Sequence, residues 1–224
     1  MEERVEELKQ VQIKGPSLFG MITKPVEQFE RIKRKPKIWV PMLIITLLSV
    51  IGTFFLTQAL DISELIGDDV PSEQVEIVKI FTLVTMIIIG VFSPIVSVLI
   101  TSAVLLAVTK IANSEVSFKQ LFSMNTYIYL ITALGLFFNG LIRLLIGGNA
   151  EVYVTSIAGL IDSNSTILGV FEIFTIWAII LMAIGLNKVA NLSKGVAATI
   201  AVIFILFQIG MAFIGSLFSG VSGM

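Results

Sequence analysis

The stretch that most constrains this chain is Phe29–Trp39, which reads Phe-Glu-Arg-Ile-Lys-Arg-Lys-Pro-Lys-Ile-Trp. Five cations, Arg31, Lys33, Arg34, Lys35 and Lys37, stand directly before a long apolar run, Ile38–Leu60. A helix of about 20 apolar residues crosses the hydrocarbon core of a bilayer. Lys and Arg beside such a run hold that end in the cytoplasm, and Trp39 is placed for the interfacial aromatic belt. The same cations suit anionic lipid headgroups, each contributing about 1 kcal/mol. Orientation of everything downstream follows from this junction.

The rest of the composition agrees with a membrane class. Hydrophobic residues make up 56% of the chain and charged residues only 14%, a balance foreign to a soluble domain of this size. Cysteine and histidine are both absent. That excludes disulfides, thiol nucleophiles, imidazole bases and zinc sites of the usual kind. Carboxylates, Ser, Thr, Lys and Tyr remain, and none of them is spaced as a nucleophile with its base. The reading is a non-enzyme with no cofactor, no metal and no nucleic-acid partner. The opening Met-Glu-Glu-Arg-Val-Glu-Glu is too acidic for a signal peptide, so the first apolar run is expected to act as an uncleaved anchor.

Two regions are expected: a cytoplasmic leader over 1–37 and a five-span transmembrane domain over 38–224. In the leader, Val5, Leu8 and Gln12 are spaced as a weak amphipathic helix or a frayed tail. Gly15-Pro16 breaks it, and Ser17 caps an apolar patch of Leu18, Phe19, Met21 and Ile22. Lys24-Pro25 restarts the chain, with Val26, Phe29 and Ile32 recurring every three residues. These two short helices can lie among headgroups or pack on the protein's own helix ends; the readings are compatible.

Spans are expected at about 38–60, 77–109, 120–146, 167–186 and 196–217. Pro41 falls in the first turn of the first span, where its missing N–H matters little. The segment 77–109 would reach roughly 50 Å as a helix, well beyond a bilayer core. It is either one helix kinked at Pro94 or a hairpin of two half-helices. A hairpin would put Lys110 and Lys119 outside, so one helix is favoured. Asp61–Glu76 is an acidic outer loop carrying Asp68, Asp69 and Glu73, and Gly147–Thr166 is a polar outer loop. Thirteen of the 15 Lys and Arg then lie on the inner side, leaving Lys79 and Arg143 outside or near outer helix ends. This bias fits five spans, N-terminus in and C-terminus out.

Three stretches together resemble the Yip1 domain family in its bacterial form. The first runs from Pro25-Val-Glu-Gln-Phe29 through Lys35-Pro36 to Trp39. The second is Val116-Ser-Phe118-Lys-Gln-Leu-Phe122 leading to Tyr127. The third is Ile176-Trp177 through Gly185-Leu-Asn-Lys188 to Leu192-Ser193-Lys194-Gly195. The resemblance covers nearly the whole chain and implies an all-helical multi-pass protein without catalytic residues. Eukaryotic members of the family act with Rab GTPases, a role that does not transfer to bacteria. For bacterial members it implies association with an ABC-type exporter, here one protecting against toxic or antimicrobial peptides, in the bacterial plasma membrane. Membrane lipids and a homo-oligomer are further expected partners.

Candidate site residues are few. Arg143 and Glu172 sit near outer span ends at similar depth, and are read either as an intramembrane ion pair, functional or structural, or as a snorkelling Arg143 with Glu172 at a frayed outer end. Asn125, Asn139 and Gln208 either line a polar path or make interhelical hydrogen bonds. Ala212, Ser216 and Gly220 recur every four residues, as do Gly215, Ser219 and Gly223, giving stripes for close helix contact within the chain or with a partner. The rival to an accessory role is a small permease or a lipid-handling or membrane-shaping protein.

Overall fold

A computed structural model describes residues 14–60, 71–150 and 152–221. The expectations for Val5, Leu8 and Gln12, for Asp68 and Asp69 and for Gly223 fall outside them. The chain forms α1 (Leu18–Thr23), α2 (Pro25–Arg34), α3 (Trp39–Ala59), α4 (Ser72–Ile111), α5 (Phe118–Ile146), α6 (Ile157–Leu160), α7 (Thr166–Val170), α8 (Ile173–Lys188) and α9 (Lys194–Val221). Among the described residues the one departure from helical pairing is an isolated antiparallel bridge between Ser156 and Glu172. Helices are what long apolar runs must form in lipid, because a helix satisfies its own backbone groups. Four of them, α3, α4, α5 and α9, are long and apolar enough to cross a membrane.

The segment around Pro94 is one helix of 40 residues with the proline inside it, hence about 60 Å long. It starts one residue after Pro71, whose carbonyl accepts from Gln74 N. The expected single span 167–186 requires correction. It consists of the five residues of α7, an interruption at Phe171 and Glu172, and the 16 residues of α8. At about 24 Å, α8 alone falls short of a bilayer core. The helix breaks because Glu172 takes an extended conformation (φ −104°, ψ 138°) and its side chain caps α8.

The loop between α5 and α7 is likewise more than a solvated connection. Ser156 and Ala158 are fully buried. Ile157 N donates to Phe171 O at 3.1 Å and Ile173 N to Thr155 O at 3.3 Å, so the loop backbone pairs with the chain on either side of Glu172. Buried non-helical backbone survives only with such internal partners.

The hub is α5. It packs against α3, α4 and α8 and receives both leader helices. Its start is fixed by a capping box: Ser117 Oγ accepts from Gln120 N, and Gln120 Oε1 accepts from Ser117 N at 2.9 Å. Two apolar clusters share α5. One joins Met21, Phe29 and Ile32 of the leader to Leu121, Met124 and Leu186. The other joins Met42 and Ile45 of α3 to Val98 of α4 and Leu130 and Ala133 of α5.

The closest helix crossing is α3 on α5, and glycine makes it so. A Cβ on Gly52 would stand 2.8 Å from Phe137 N, and one on Gly140 would stand 2.6 Å from Gly52 O. Backbone meets backbone there, which is how membrane helices gain packing without a hydrophobic driving force between them. By contrast, a Cβ on Gly210 or Gly215 of α9 would meet nothing.

Gly52→Leu is therefore expected to force α3 off α5, costing about 1–3 kcal/mol in the way overpacked cores do. Gly210→Leu should be neutral. Thermal unfolding in detergent checks the pair; equal midpoints for both variants would contradict this account of the crossing.

Candidate functional site

Glu172 is 2% exposed, buried by the fold although it carries a carboxylate. Its Oε2 accepts from Thr175 N at 2.7 Å and from Thr175 Oγ1 at 3.0 Å. Its Oε1 accepts from Thr155 Oγ1 at 2.6 Å. The first of these is an N-cap bond to an orphan amide, at the helix end where negative charge is favoured. Thr155 in turn faces Asn139 of α5, whose Nδ2 donates to Thr155 Oγ1 at 2.8 Å and whose Oδ1 accepts from Thr155 N at 3.1 Å. Asn139 also donates to Gly135 O one turn back. The chain of groups Asn139–Thr155–Glu172–Thr175 thus ties α5, the inserted loop and the start of α8 together.

Arg143 and Glu172 take separate partners rather than pairing with each other. Arg143 Nε and Nη2 both donate to Val152 O, at 3.1 and 2.9 Å, and Nη1 donates to Gly147 O at 3.3 Å. The guanidinium stitches the loop to the end of α5, where orphan carbonyls and the helix dipole favour a cation. Gly147 and Gly148 have φ of 71° and 89°, and a Cβ on Gly148 would lie 2.6 Å from Arg143 Nη1. Among the described residues the ion pairs are Arg31 with Glu27 and Lys188 with Glu30.

Tyr153 belongs to the same loop. Burial first, then the Glu172 charge and the neighbouring Tyr129, push its phenol up to about 12 from the ordinary 10.0.

Two cavities adjoin this network. The larger, about 650 Å³, lies toward the loop and is lined by Asn149, Tyr153, Asn164 and Ser165 with Thr175 and Gln208. The smaller, about 190 Å³, lies between α4, α5, α8 and α9. It is lined by Ser97, Thr101, Asn125, Tyr129 and Thr132 and again by Thr175 and Gln208. Asn125 and Gln208 therefore share one cavity, as a polar path would require, whereas Asn139 is fully buried in the Glu172 network. Asn125 also donates to Ser102 Oγ of α4 at 2.9 Å. Ala212 lines the larger cavity, Ser216 Oγ donates to Phe213 O, and Gly220 lies in the last turn of α9.

At the opposite, basic end, the three motif-bearing stretches converge. Phe29 of α2 fits against Gly185 of α8, where a Cβ would stand 3.1 Å from its ring and 2.8 Å from Met124 Sδ. Gln120 Nε2 donates to Lys33 O at 2.8 Å, Ser123 Oγ to Lys37 O at 2.7 Å and Tyr127 OH to Pro16 O at 3.1 Å. Lys33 Nζ donates to Asn191 Oδ1 at 2.7 Å, and Arg31 bonds Glu27 and Gly15 O. Arg34, Lys35, Lys37 and Trp39 stay exposed, as do Phe19, Ile22 and Val26. The inner face of the leader is committed to the protein and its outer face is exposed.

Sequence reasoning missed Thr155, Thr175 and Tyr153, since hydroxyls in a polar loop carry no spacing signal. The spacing Glu172-x-x-Thr175 was available as a cap-like pattern. Glu172→Ala removes acceptors from three hydrogen bonds and should destabilise the fold by about 2 kcal/mol or more. Glu172→Gln should fall between. The Tyr153 shift also has a sign: its pKa is raised on folding, so its stabilising contribution is present below pH 10 and is lost as pH rises toward about 12. Tyr153→Phe should remove that alkaline component, read from unfolding midpoints between pH 9 and about 12.

The Yip1 domain matches residues 19–217. Membrane protein YknW of Bacillus subtilis (strain 168) is 34% identical over 227 aligned residues, which take in 98% of this chain and 96% of that protein. No solved structure matches the fold. The domain match reaches every helix described above, from α1 to α9, and on it this chain belongs to the Yip1 domain family of membrane proteins.

Proposed function

We propose that the protein is a non-enzymatic accessory or assembly factor of the bacterial plasma membrane, engaging another membrane complex. Its partner in this reading is an ABC-type exporter that protects against toxic or antimicrobial peptides, as the family resemblance implies for bacterial members. It crosses the membrane five times, with the leader inside and the C-terminus outside. Here α7 and α8 together make the fourth crossing despite the interruption at Glu172.

The observation that carries this reading is the leader. Short helices normally fray, yet α1 and α2 are held on α5 and α8 by buried Met21, Phe29 and Ile32 and by the bonds to Pro16, Lys33 and Lys37. The leader therefore presents a fixed surface of cations and apolar side chains at the basic end. Most of the apolar surface of α4 and α9 also faces outward, leaving two long helix faces for lipid or a partner's spans. Membrane lipids, and a second copy of the chain, are the other expected neighbours.

One observation favours the rival reading, handling of a small solute or lipid: the two cavities share Thr175 and Gln208.

Two measurements test the proposal. A tag on Met224 is expected to be reached from outside intact cells, and its detection only after permeabilisation contradicts the five-crossing layout. Purification after mild crosslinking is expected to retain an ABC-type exporter, and the exporter should be lost when Phe29→Asp loosens the leader. Recovery of no membrane partner in either preparation counts against the accessory role.

A further inference from the structure

Five side chains around the smaller cavity, Ser97, Thr101, Tyr129, Thr132 and Gln208, have no hydrogen-bond partner among the described residues. They come from the middles of three different helices, α4, α5 and α9, each long enough to cross a bilayer. This is where a polar group without a partner is costly, because lipid offers it nothing. Some hydroxyls elsewhere in the long helices do bond back to the chain, as Thr57 does to Thr53 O, Ser102 to Val98 O and Thr126 to Phe122 O.

Thr175 and Gln208 line both the smaller cavity and the larger one. No Lys, Arg, Asp or Glu lines either chamber. The nearest carboxylate, Glu172, stands behind Thr175 with both oxygens engaged. A charged ligand would lose its hydration there and find no counter-charge. Amides and hydroxyls offer donors and acceptors together, which suits an uncharged, hydroxyl- or amide-bearing group. The smaller chamber adds an apolar wall of Val98, Ile128, Ala178, Ile179, Met182 and Phe204. Its opposite sides are formed by α4 and α9, which hardly touch each other, so the chamber can be entered sideways from lipid. The larger chamber falls within the ~300–1,000 Å³ range of small-molecule sites.

We propose that the two chambers form one binding site for an uncharged amphiphile. Its hydroxyl or amide groups meet Gln208, Thr132 and the other polar side chains of both chambers, and its apolar part lies against the wall of the smaller one. The site stands on this geometry alone and is independent of any exporter partner.

The test uses the full chain in phosphatidylcholine nanodiscs with an alkyl glucoside carrying a photoreactive diazirine in its chain. Crosslinks are expected to concentrate on peptides containing Thr101, Thr132 and Gln208. Unlabelled alkyl glucoside should compete, while alkyl sulfate and alkyl trimethylammonium of equal chain length should not. Ala212→Trp, which fills the larger chamber, and Gln208→Leu should each lower crosslinking on the order of tenfold, equivalent to one or two hydrogen bonds. Ile203→Trp, on the exposed face of α9, should leave it unchanged. Should Ala212→Trp fail to fold, the near-isosteric Thr132→Val serves in its place, with unfolding midpoints as the folding control. Crosslinks spread evenly over outward helix faces, equal competition by the charged chains, or displacement by an apolar peptide but not by the glucoside would each overturn the proposal.

Discussion

Non-helical backbone that the fold buries has to find a partner inside the protein. The interruption at Phe171 and Glu172 is where that requirement bears hardest. A helix broken inside the fold frees amides and carbonyls that need new partners. The protein mends the break with a second irregular segment, the inserted loop, whose backbone pairs with it on both sides of the Ser156–Glu172 bridge. Asn139 and Arg143, one turn apart on α5, hold that loop from below and from its edge. The buried carboxylate is part of the same repair, since it caps the amides at the start of α8 while accepting the Thr155 hydroxyl.

The two ends of the bundle use different physics. At the basic end, aromatic and aliphatic side chains are packed around Phe29, Met124 and Leu186, and the polar contacts mostly run from side chains to leader carbonyls. At the other end, side-chain amides and hydroxyls form the network, with Glu172 as its charged member. Between them lies the α3–α5 crossing, where Gly52 and Gly140 allow backbones to touch. The motif-bearing stretches thereby gain a physical reading. Gln120 both closes the capping box of α5 and tethers Lys33, and Gly185 leaves the notch that Phe29 fills.

Much of the architecture was legible because apolar length and cation placement are strong signals. The runs expected from 38, 120 and 196 became helices close to those bounds, and the 40-residue helix passes through Pro94 as one piece, although it starts at Ser72 and so takes Glu73 and Glu76 out of the expected outer loop. The fourth run was misread because hydropathy averages over a break. A single Glu among apolar neighbours leaves the average high, while its capping geometry, decided by Thr175 three residues on and by Thr155 far away in sequence, ends one helix and starts another. Arg143 and Glu172 were legible as unusual residues but not as to partner. Equal depth on adjacent helices suggests a pair, yet carbonyls of the nearby loop competed for the guanidinium and threonines for the carboxylate. The unpartnered groups of the cavity were least legible of all, since a Ser or Thr in a span most often bonds its own helix.

One property of α8 reaches across the whole molecule. Its first turn is pinned by Glu172 and its last turns hold Phe29 at Gly185 and Glu30 through Lys188. One helix thus joins the polar network to the packed leader, and the two ends of the bundle share α8 as their common member.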